Sequence, residues 1–169
     1  MPIVKSHFKS SLLFKNGFIA TIYSGLIRRL KINQFRERIT LRDDDFIDLD
    51  WSYGKNPSKS VVILLHGMEG HGQRPYITGP ALLFNENNID AICVNFRCCS
   101  GELNRKYSSY HSGMSEDLDD VVKHVVSLNK YDSIFIKGIS LGANMLLKYL
   151  GEGNTIPPQV KGGMAVSAP

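Results

Sequence analysis

The feature that most constrains the fold of this chain is an apolar run that ends in a Gly-x-Ser-x-Gly pentapeptide. Residues 133–139 are rich in isoleucine and phenylalanine, and the pentapeptide from Gly138 through Ser140 to Gly142 overlaps their end. A helical pattern begins at once. This order of strand, pentapeptide and helix predicts a sharp turn that lifts the Ser140 hydroxyl above the edge of a sheet, and the two glycines leave room for such a turn.

Strands and helices alternate along the chain from residue 60 onward. Apolar runs that are typical of buried strands are separated by segments whose apolar residues recur at helical spacing. We predict strands at 60–66, 89–96, 133–139 and 162–168, and helices at 80–87, 115–128 and 140–152. Thr78 or Gly79 is expected to cap the first of these helices and Ser115 the second. The order is typical of an α/β fold with a mostly parallel sheet and right-handed crossovers.

An antiparallel hairpin is predicted ahead of the parallel strands. Residues 38–41 and 46–51 flank the acidic turn 43–45, and apolar residues alternate with acids along the second run. That alternation is typical of a hairpin with one face in solvent. A second acidic run, residues 116–120, is interpreted as the solvated start of a helix.

The first 37 residues are interpreted as an N-terminal arm, followed by a domain over residues 38–169. Apolar residues between positions 18 and 30 recur at helix-like spacing, which predicts a short helix or an irregular segment packed on the domain. Anchoring to a membrane surface is the alternative. The net charge of +4 is local, because basic residues dominate before position 40. A solvated basic face is preferred, with at most peripheral membrane contact and no nucleic-acid partner.

The cysteines indicate a reducing compartment. Cys93, Cys98 and Cys99 are odd in number and include a vicinal pair, so no disulfide framework is expected. Lysines interrupt the early apolar runs, which argues against a signal peptide, and no stretch stays apolar for the roughly 18 residues that a membrane span needs. We predict a cytoplasmic protein. Cys98 and Cys99 are interpreted as small buried residues, since the spacing suits neither a thiol nucleophile nor a zinc site.

A serine hydrolase requires a nucleophile and donors for the oxyanion, and the sequence offers candidates for both. Ser140 is the candidate nucleophile, and the backbone N–H of Leu141 at the start of the helix would point at the developing negative charge. The loop 66–70 leaves a strand of the same sheet, and the N–H of Met68 is the second candidate donor. Gly67 allows close approach of the backbone. His66 ends a buried strand and is interpreted as structural.

The general base and the acid that orients it have no candidates. In this fold the triad runs Ser, then Asp or Glu, then His along the chain. No histidine follows Ser140, and Glu152 is the sole acidic residue after it. Catalysis by this chain alone is therefore expected to be weak or absent, and a non-catalytic interaction or scaffold protein is the alternative function.

Short motifs spread over nearly the whole chain resemble those of the YheT-like α/β-hydrolases. They are Asn16-Gly17-Phe18 with Thr21-Ile22-Tyr23, Arg36-Glu37-Arg38, Asp48-Leu49-Asp50-Trp51, His66-Gly67-Met68-Glu69-Gly70, Pro75-Tyr76-Ile77, Asn95-Phe96-Arg97, Cys99-Ser100-Gly101-Glu102, Tyr110-His111-Ser112-Gly113, Glu116-Asp117-Leu118, and Ser140-Leu141-Gly142 with residues 144–152. The resemblance implies an α/β-hydrolase fold and a carboxylic-ester hydrolase. It implies an acyl-enzyme on Ser140 and small ester or lipid-like substrates, of short to medium chain length or acylglycerol-like. It also implies no metal and no organic cofactor.

The chain departs from the family pattern in three places. Cys98 and Ala143 stand where glycines are usual. Members of the family are longer, and their last strands, cap segment and triad Asp and His have no counterpart here, so neither role is assigned to a residue of this chain. We expect a sheet that is truncated after about its sixth strand. Its last strand, residues 162–168, would then expose an apolar edge and favour self-association.

Overall fold

The computed structural model describes residue 3 and residues 5–23, 28–153 and 155–169. The helices are α1 (Gly17–Ile22), α2 (Pro75–Glu86), α3 (Ser115–Ser127) and α4 (Leu141–Gly151), and a 3₁₀ turn spans Leu12–Lys15. The strands are β1 (Phe35–Thr40), β2 (Phe46–Ser52), β3 (Ser60–Leu65), β4 (Asp90–Asn95), β5 (Ser133–Ile139) and β6 (Val160–Val166). Helix α1 covers the beginning of the helical segment predicted at 18–30, and positions 24–27 of that segment lie outside the described residues.

The strands form one sheet in the order β1-β2-β4-β3-β5-β6. β1 pairs antiparallel with β2, and β2 pairs antiparallel with β4. The remaining neighbours, β4 with β3, β3 with β5 and β5 with β6, are parallel. The predicted fold class is confirmed: a mostly parallel α/β sheet preceded by an antiparallel hairpin. The strands β4, β3 and β5 therefore bring their carboxyl ends to the same edge.

β3 is covered on both faces of the sheet, and its uninterrupted apolar sequence shows why. Val61, Ile63 and Leu65 belong to a core that includes side chains of α3 and α4. Val62 and Leu64 belong to a second core, which includes side chains of α2. Full burial of such a side chain contributes about 2 kcal/mol to folding. The central strand is thereby fixed from both sides, and the loop that follows it starts from a rigid position.

The face of the hairpin that carries the acids was predicted to lie in solvent, but half-exposed arginines of β1 cover the acids of β2. β2 is buried along its whole length. Asp50 and Asp48 lie directly across from Arg36 and Arg38 of β1. Each carboxylate accepts two hydrogen bonds from its arginine, at 2.7 and 3.0 Å for Asp50 and at 2.7 and 2.9 Å for Asp48. The alternating acids are therefore buried carboxylates that pair with arginines at the surface, and they do not lie in solvent themselves.

Helix α2 begins earlier than predicted. It starts at Pro75 rather than near Pro80, and Arg74 occupies the N-cap position predicted for Thr78 or Gly79. A proline in the first turn costs no helical hydrogen bond, because the N–H groups there have no intrahelical acceptor. Pro80 lies inside the helix. Two prolines therefore fall in one helix, and the first of them marks its start.

The start of α3 also differs from the prediction. Ser115 is the first helical residue, and Met114 occupies the N-cap position. The Ser115 hydroxyl accepts a hydrogen bond of 3.0 Å from Lys148 Nζ instead of capping the helix. The acidic run is not simply solvated, because Asp117 and Asp119 are buried and pair with arginines from other segments. The first turn of α3 thus forms hydrogen bonds and ion pairs with three other segments, through Lys148, Arg42 and Arg97.

β6 lies at the end of the sheet. Its apolar sequence is typical of a buried strand, but within the described residues it pairs with β5 alone and is largely exposed, as the sequence analysis expects for the last strand of a truncated sheet. The Met164 side chain, for example, is 56% exposed. Self-association through this edge stays a prediction. Among the described residues, no helix combines the length and the apolar composition needed to cross a bilayer.

Candidate functional site

Ser140 lies in a strained turn between β5 and α4. Its backbone has φ 53° and ψ −119°, a positive-φ conformation that residues other than glycine rarely adopt. The surrounding backbone holds it there. The Ser140 N–H donates to the Val166 carbonyl at 2.9 Å, and the Ser140 carbonyl accepts from the N–H groups of Ala143 and Asn144 at 2.9 and 3.1 Å. The serine is therefore anchored to β6 on one side and to the first turn of α4 on the other.

The two flanking glycines are required by close backbone contacts. A Cβ atom at Gly138 would lie 2.6 Å from the Ala143 nitrogen and would also meet the Gly142 carbonyl. A Cβ atom at Gly142 would lie 2.6 Å from the His66 carbonyl oxygen and 2.8 Å from that of Leu65. The glycines let α4 start directly above β5 and against the end of β3. Without them the Ser140 turn would be pushed away from the loop that follows β3.

The loop 66–70 passes directly beside Ser140. A Cβ atom at Gly67 would lie 3.3 Å from the Ser140 Cβ and 3.8 Å from its Oγ. Tyrosine hydroxyls hold the loop at two points: the Gly67 N–H donates to Tyr76 Oη at 3.3 Å, and the Glu69 N–H donates to Tyr110 Oη at 2.8 Å. Glu69 has φ 52°, so the loop also contains a left-handed turn. The structure brings Gly67, which directly precedes the candidate donor Met68, next to Ser140.

The two candidate oxyanion donors both have backbone N–H groups available to a ligand. Within the described part of the chain, neither the Leu141 nor the Met68 N–H has a protein acceptor. Leu141 is the first residue of α4, where the helix dipole favours negative charge. Met68 lies between two loop residues that tyrosines hold in place. The assignment of these two donors to an oxyanion hole stays a prediction.

His66 is buried and its ring nitrogens are both occupied. Its Nδ1 lies 2.6 Å from the Gly67 carbonyl oxygen, and its Nε2 accepts the Phe96 N–H at 3.3 Å. Burial lowers the pKa of His66 to about 4, so the imidazole is neutral at physiological pH. The residue has the structural role that the sequence predicts. In the described residues no hydrogen bond joins the Ser140 hydroxyl to an imidazole or a carboxylate.

Two of the three cysteines, Cys93 and Cys99, are poor nucleophiles. Burial raises the pKa of Cys93 to about 12, and burial also raises the pKa of the half-buried Cys99. Cys98 was predicted to be buried but is exposed, and its backbone has φ 62°, a conformation that suits glycine. Among the described residues, no group of three or more His, Cys, Asp or Glu side chains is arranged to hold a metal ion.

Sequence reasoning missed the charged network that holds the loop 97–113. Arg97 is buried and pairs with Asp117 at 2.7 and 2.8 Å, and it also contacts Asp43 and Asp45. Burial acts to raise the pKa of Asp45, but hydrogen bonds from the backbone of Arg105 and from other loop groups outweigh it and hold that pKa below its ordinary value. The network ties the loop to the hairpin. The sequence carried a signal for this network, because Arg97 contacts both acidic runs, residues 43–45 and residues 116–120.

A sheet in this strand order, with a serine between close-packed glycines at the end of β5, defines an α/β-hydrolase. The family model described as serine aminopeptidase, S33 (Hydrolase_4) matches residues 56–169. The chain belongs to this family, and within it the chain is YheT-like, as its motifs predict.

Two relatives illustrate the match in sequence. The Escherichia coli (strain K12) protein named "Putative esterase YheT" is 35% identical over 162 residues, which cover 92% of this chain and 46% of that protein. The human phospholipase ABHD3 is 31% identical over 159 residues, which cover 89% of this chain and 39% of that protein. The chain thus spans less than half the length of these relatives.

Solved structures show the same fold at low identity. The esterase Pf2001 of Pyrococcus furiosus aligns with a TM-score of 0.67 and 20% identity, over 84% of this chain and 56% of that one. The α/β serine hydrolase XC6422 of Xanthomonas campestris aligns with a TM-score of 0.61 and 18% identity, over 74% of this chain and 59% of that one. At such identities the similarity concerns the fold alone.

Proposed function

We propose that the chain carries the nucleophile and the oxyanion-binding half of a serine carboxylic-ester hydrolase. The observation that carries the proposal is the strained Ser140 turn, held between the start of α4 and the loop 66–70. Strain of this kind costs of order 1–3 kcal/mol, and it persists where the surrounding structure imposes it, which is common at functional sites. A turn that served packing alone would gain stability from glycine at this position.

In this mechanism the Ser140 Oγ attacks the carbonyl carbon of an ester and forms a tetrahedral intermediate. The N–H groups of Leu141 and Met68 donate to the oxyanion, which then collapses, and the carbon–oxygen bond to the leaving alcohol breaks. The hydroxyl proton of Ser140 goes to a general base and from there to the leaving alkoxide. A water molecule hydrolyses the acyl-enzyme by the same steps. The residues of this chain supply every group except the base and its orienting acid.

The substrate class follows from the relatives and from the surface beside the site. The relatives are named as an esterase and a phospholipase, which supports esters of short to medium chain length or acylglycerol-like esters. Apolar side chains are exposed on the two loops at this edge of the sheet, at Met68, Leu103 and Tyr107. Such a surface suits an acyl chain better than a charged peptide.

Labelling with a fluorophosphonate tests the nucleophile in the chain as it is. The serine oxygen displaces fluoride from phosphorus, and the adduct is located by mass spectrometry. Because no imidazole or carboxylate among the described residues is hydrogen-bonded to the Ser140 hydroxyl, we expect slow labelling that accelerates when imidazole is added in solution. Ser140→Ala should abolish the adduct, whereas Ser109→Ala, at an exposed loop serine, should not change it. Absence of a Ser140 adduct even with imidazole, while a control hydrolase reacts, would refute the proposal.

A non-catalytic binding or scaffold role is the second candidate. It is favoured by one observation, that no imidazole or carboxylate is hydrogen-bonded to Ser140 within the described residues. The two functions differ in what they require of Ser140. A scaffold would tolerate Ser140→Ala without loss of binding, and its serine would remain unlabelled under the conditions above.

A further inference from the structure

The N-terminal arm displays apolar side chains to solvent. In the part that the structure describes, Phe8 and Leu12 are each 84% exposed, Phe18 is 73% exposed and Leu13 is 69% exposed. Single exposed apolar residues are common on protein surfaces, but a cluster on one short segment marks a contact site. Residues 5–23, called the basic arm below, carry such a cluster.

The charge of the same region is of one sign. The first acidic residue of the chain is Glu37, so every charged side chain before it is basic. The basic arm contributes Lys5, Lys9 and Lys15, and none of these forms an ion pair with any residue that the structure describes. Cations that are interleaved with exposed apolar side chains suit a partner that is anionic at its surface and apolar beneath it.

The basic arm is a folded unit rather than a plain extended chain. Its 3₁₀ turn and α1 follow each other directly, and the rings of Phe14 and Tyr23 pack with centroids 5.1 Å apart. The Asn16 side chain caps α1 by accepting the N–H groups of Phe18 and Ile19 at 2.9 and 3.3 Å. Leu12, Leu13 and Phe18 therefore lie on one short folded segment, and Phe8 precedes it in irregular backbone.

We propose that the basic arm docks on an anionic lipid surface, with its lysines at the headgroups and its apolar side chains in the interface. A lipid surface offers a site for both kinds of side chain. A nucleic acid would bind the cations but would leave Leu12 and Leu13 without an apolar partner. The inference is independent of the catalytic proposal, because it concerns binding alone.

Vesicle flotation tests the docking, since lipid-bound protein floats while aggregated protein sinks. The 169-residue chain is mixed with phosphatidylcholine vesicles that contain phosphatidylserine, and separately with pure phosphatidylcholine vesicles. We expect binding to the anionic vesicles only, and weaker binding at high salt. Each Lys near the surface strengthens binding about fivefold. The triple variant Lys5→Gln, Lys9→Gln, Lys15→Gln should therefore bind about 100-fold more weakly.

A matched lysine variant and a fluorescent residue in the arm distinguish docking of the basic arm from non-specific attraction of a cationic protein to anionic vesicles. The variant Lys55→Gln, Lys59→Gln, Lys106→Gln removes the same charge from exposed lysines elsewhere and should bind nearly as the wild type does. Phe8→Trp supplies a fluorophore that should shift to shorter wavelength on anionic vesicles, while the native Trp51 is buried. The proposal is overturned by equal loss in the two triple variants, by equal binding to neutral vesicles, or by tighter binding to RNA at the same phosphate concentration.

Discussion

The Tyr110 hydroxyl accepts a hydrogen bond of 2.8 Å from the backbone N–H of Glu69, and so joins the loops that follow β4 and β3. The Tyr110 ring is itself fixed, because it stacks on Phe96 with centroids 5.6 Å apart. Tyr110 belongs to the loop 97–113, and the Arg97 network holds this loop to the hairpin. The position of Tyr110 therefore depends on that network. The conformation of the backbone beside Met68 thus depends on a residue far away in the sequence.

Removal of this hydrogen bond tests the connection. Tyr110→Phe leaves the ring in place and takes away the acceptor of the Glu69 N–H, so we expect the free energy of unfolding to fall by about 1 kcal/mol. Tyr107→Phe is the control, because the Tyr107 side chain is fully exposed. Urea unfolding followed by circular dichroism gives both values. Equal stability of the two variants would contradict the proposed link between the loops.

The tight packing of the Ser140 turn predicts a large difference between two glycines. Gly142→Ala places a Cβ atom 2.6 Å from the His66 carbonyl oxygen, whereas Gly162 has open space around its Cβ position. We expect Gly142→Ala to lower the free energy of unfolding by about 3 kcal/mol and Gly162→Ala to change it by less than about 0.5 kcal/mol. Thermal and urea unfolding measure both. A mild effect at Gly142 would show that α4 can move away from β3.

Ser140 itself is predicted to lower stability. Because its φ of 53° suits glycine, Ser140→Gly should raise the free energy of unfolding by about 1 kcal/mol while fluorophosphonate labelling is lost. In the regular strand β5, Ser133→Gly should instead lower it by about 0.5–1 kcal/mol. Urea unfolding of the two variants compares the effects directly. If both substitutions destabilise the protein alike, the turn is not strained.

Arg97 is expected to be the most sensitive charged residue outside the Ser140 turn. Arg97→Ala leaves the carboxylates of Asp117 and Asp45 buried without their cation, which should lower the free energy of unfolding by about 3–5 kcal/mol. Arg74→Ala is the control, since the Arg74 side chain is exposed and should contribute less than about 0.5 kcal/mol. Chemical unfolding measures both. Similar values for the two variants would mean that other groups hold the loop 97–113.

The buried His66 predicts a fall in stability under mildly acidic conditions. Its pKa is lowered to about 4 in the folded state, whereas an unfolded histidine has a pKa of about 6.5. Below pH 6.5 the His66 imidazole is therefore protonated in the unfolded chain but stays neutral in the folded chain. The free energy of unfolding falls as the pH drops from 6.5 towards 4. The full loss is about 3 kcal/mol. His66→Gln should flatten the unfolding free energy between pH 7 and 5, and an unchanged slope in that variant would contradict the prediction.

Local patterns predicted the parts of the fold that depend on neighbouring residues. Each of these patterns involves only a few consecutive residues, as in the apolar run of β3 and the glycines around Ser140. Both features occur where they were expected. The burial of Asp48 and Asp50 was missed because it depends on the register with β1. The contact of Tyr110 with Glu69 was missed for the same reason, since it joins residues from separate loops. The predicted start of α2 was wrong because both Pro75 and Pro80 are compatible with the first turn of a helix, and the second was chosen.

The register of the β1–β2 hairpin has a consequence for changes in chain length. Arg36 and Arg38 face their acids only in the present pairing, and a slip by one residue would turn every side chain of the strand to the opposite face. Asp45, which holds the loop 97–113, lies in the turn between the two strands. Insertion of a single residue there would loosen the loop 97–113 and, through Tyr110, the loop 66–70 beside Ser140, although the serine and its glycines stay unchanged. Sequence drift in this turn should therefore proceed by substitution and not by insertion or deletion.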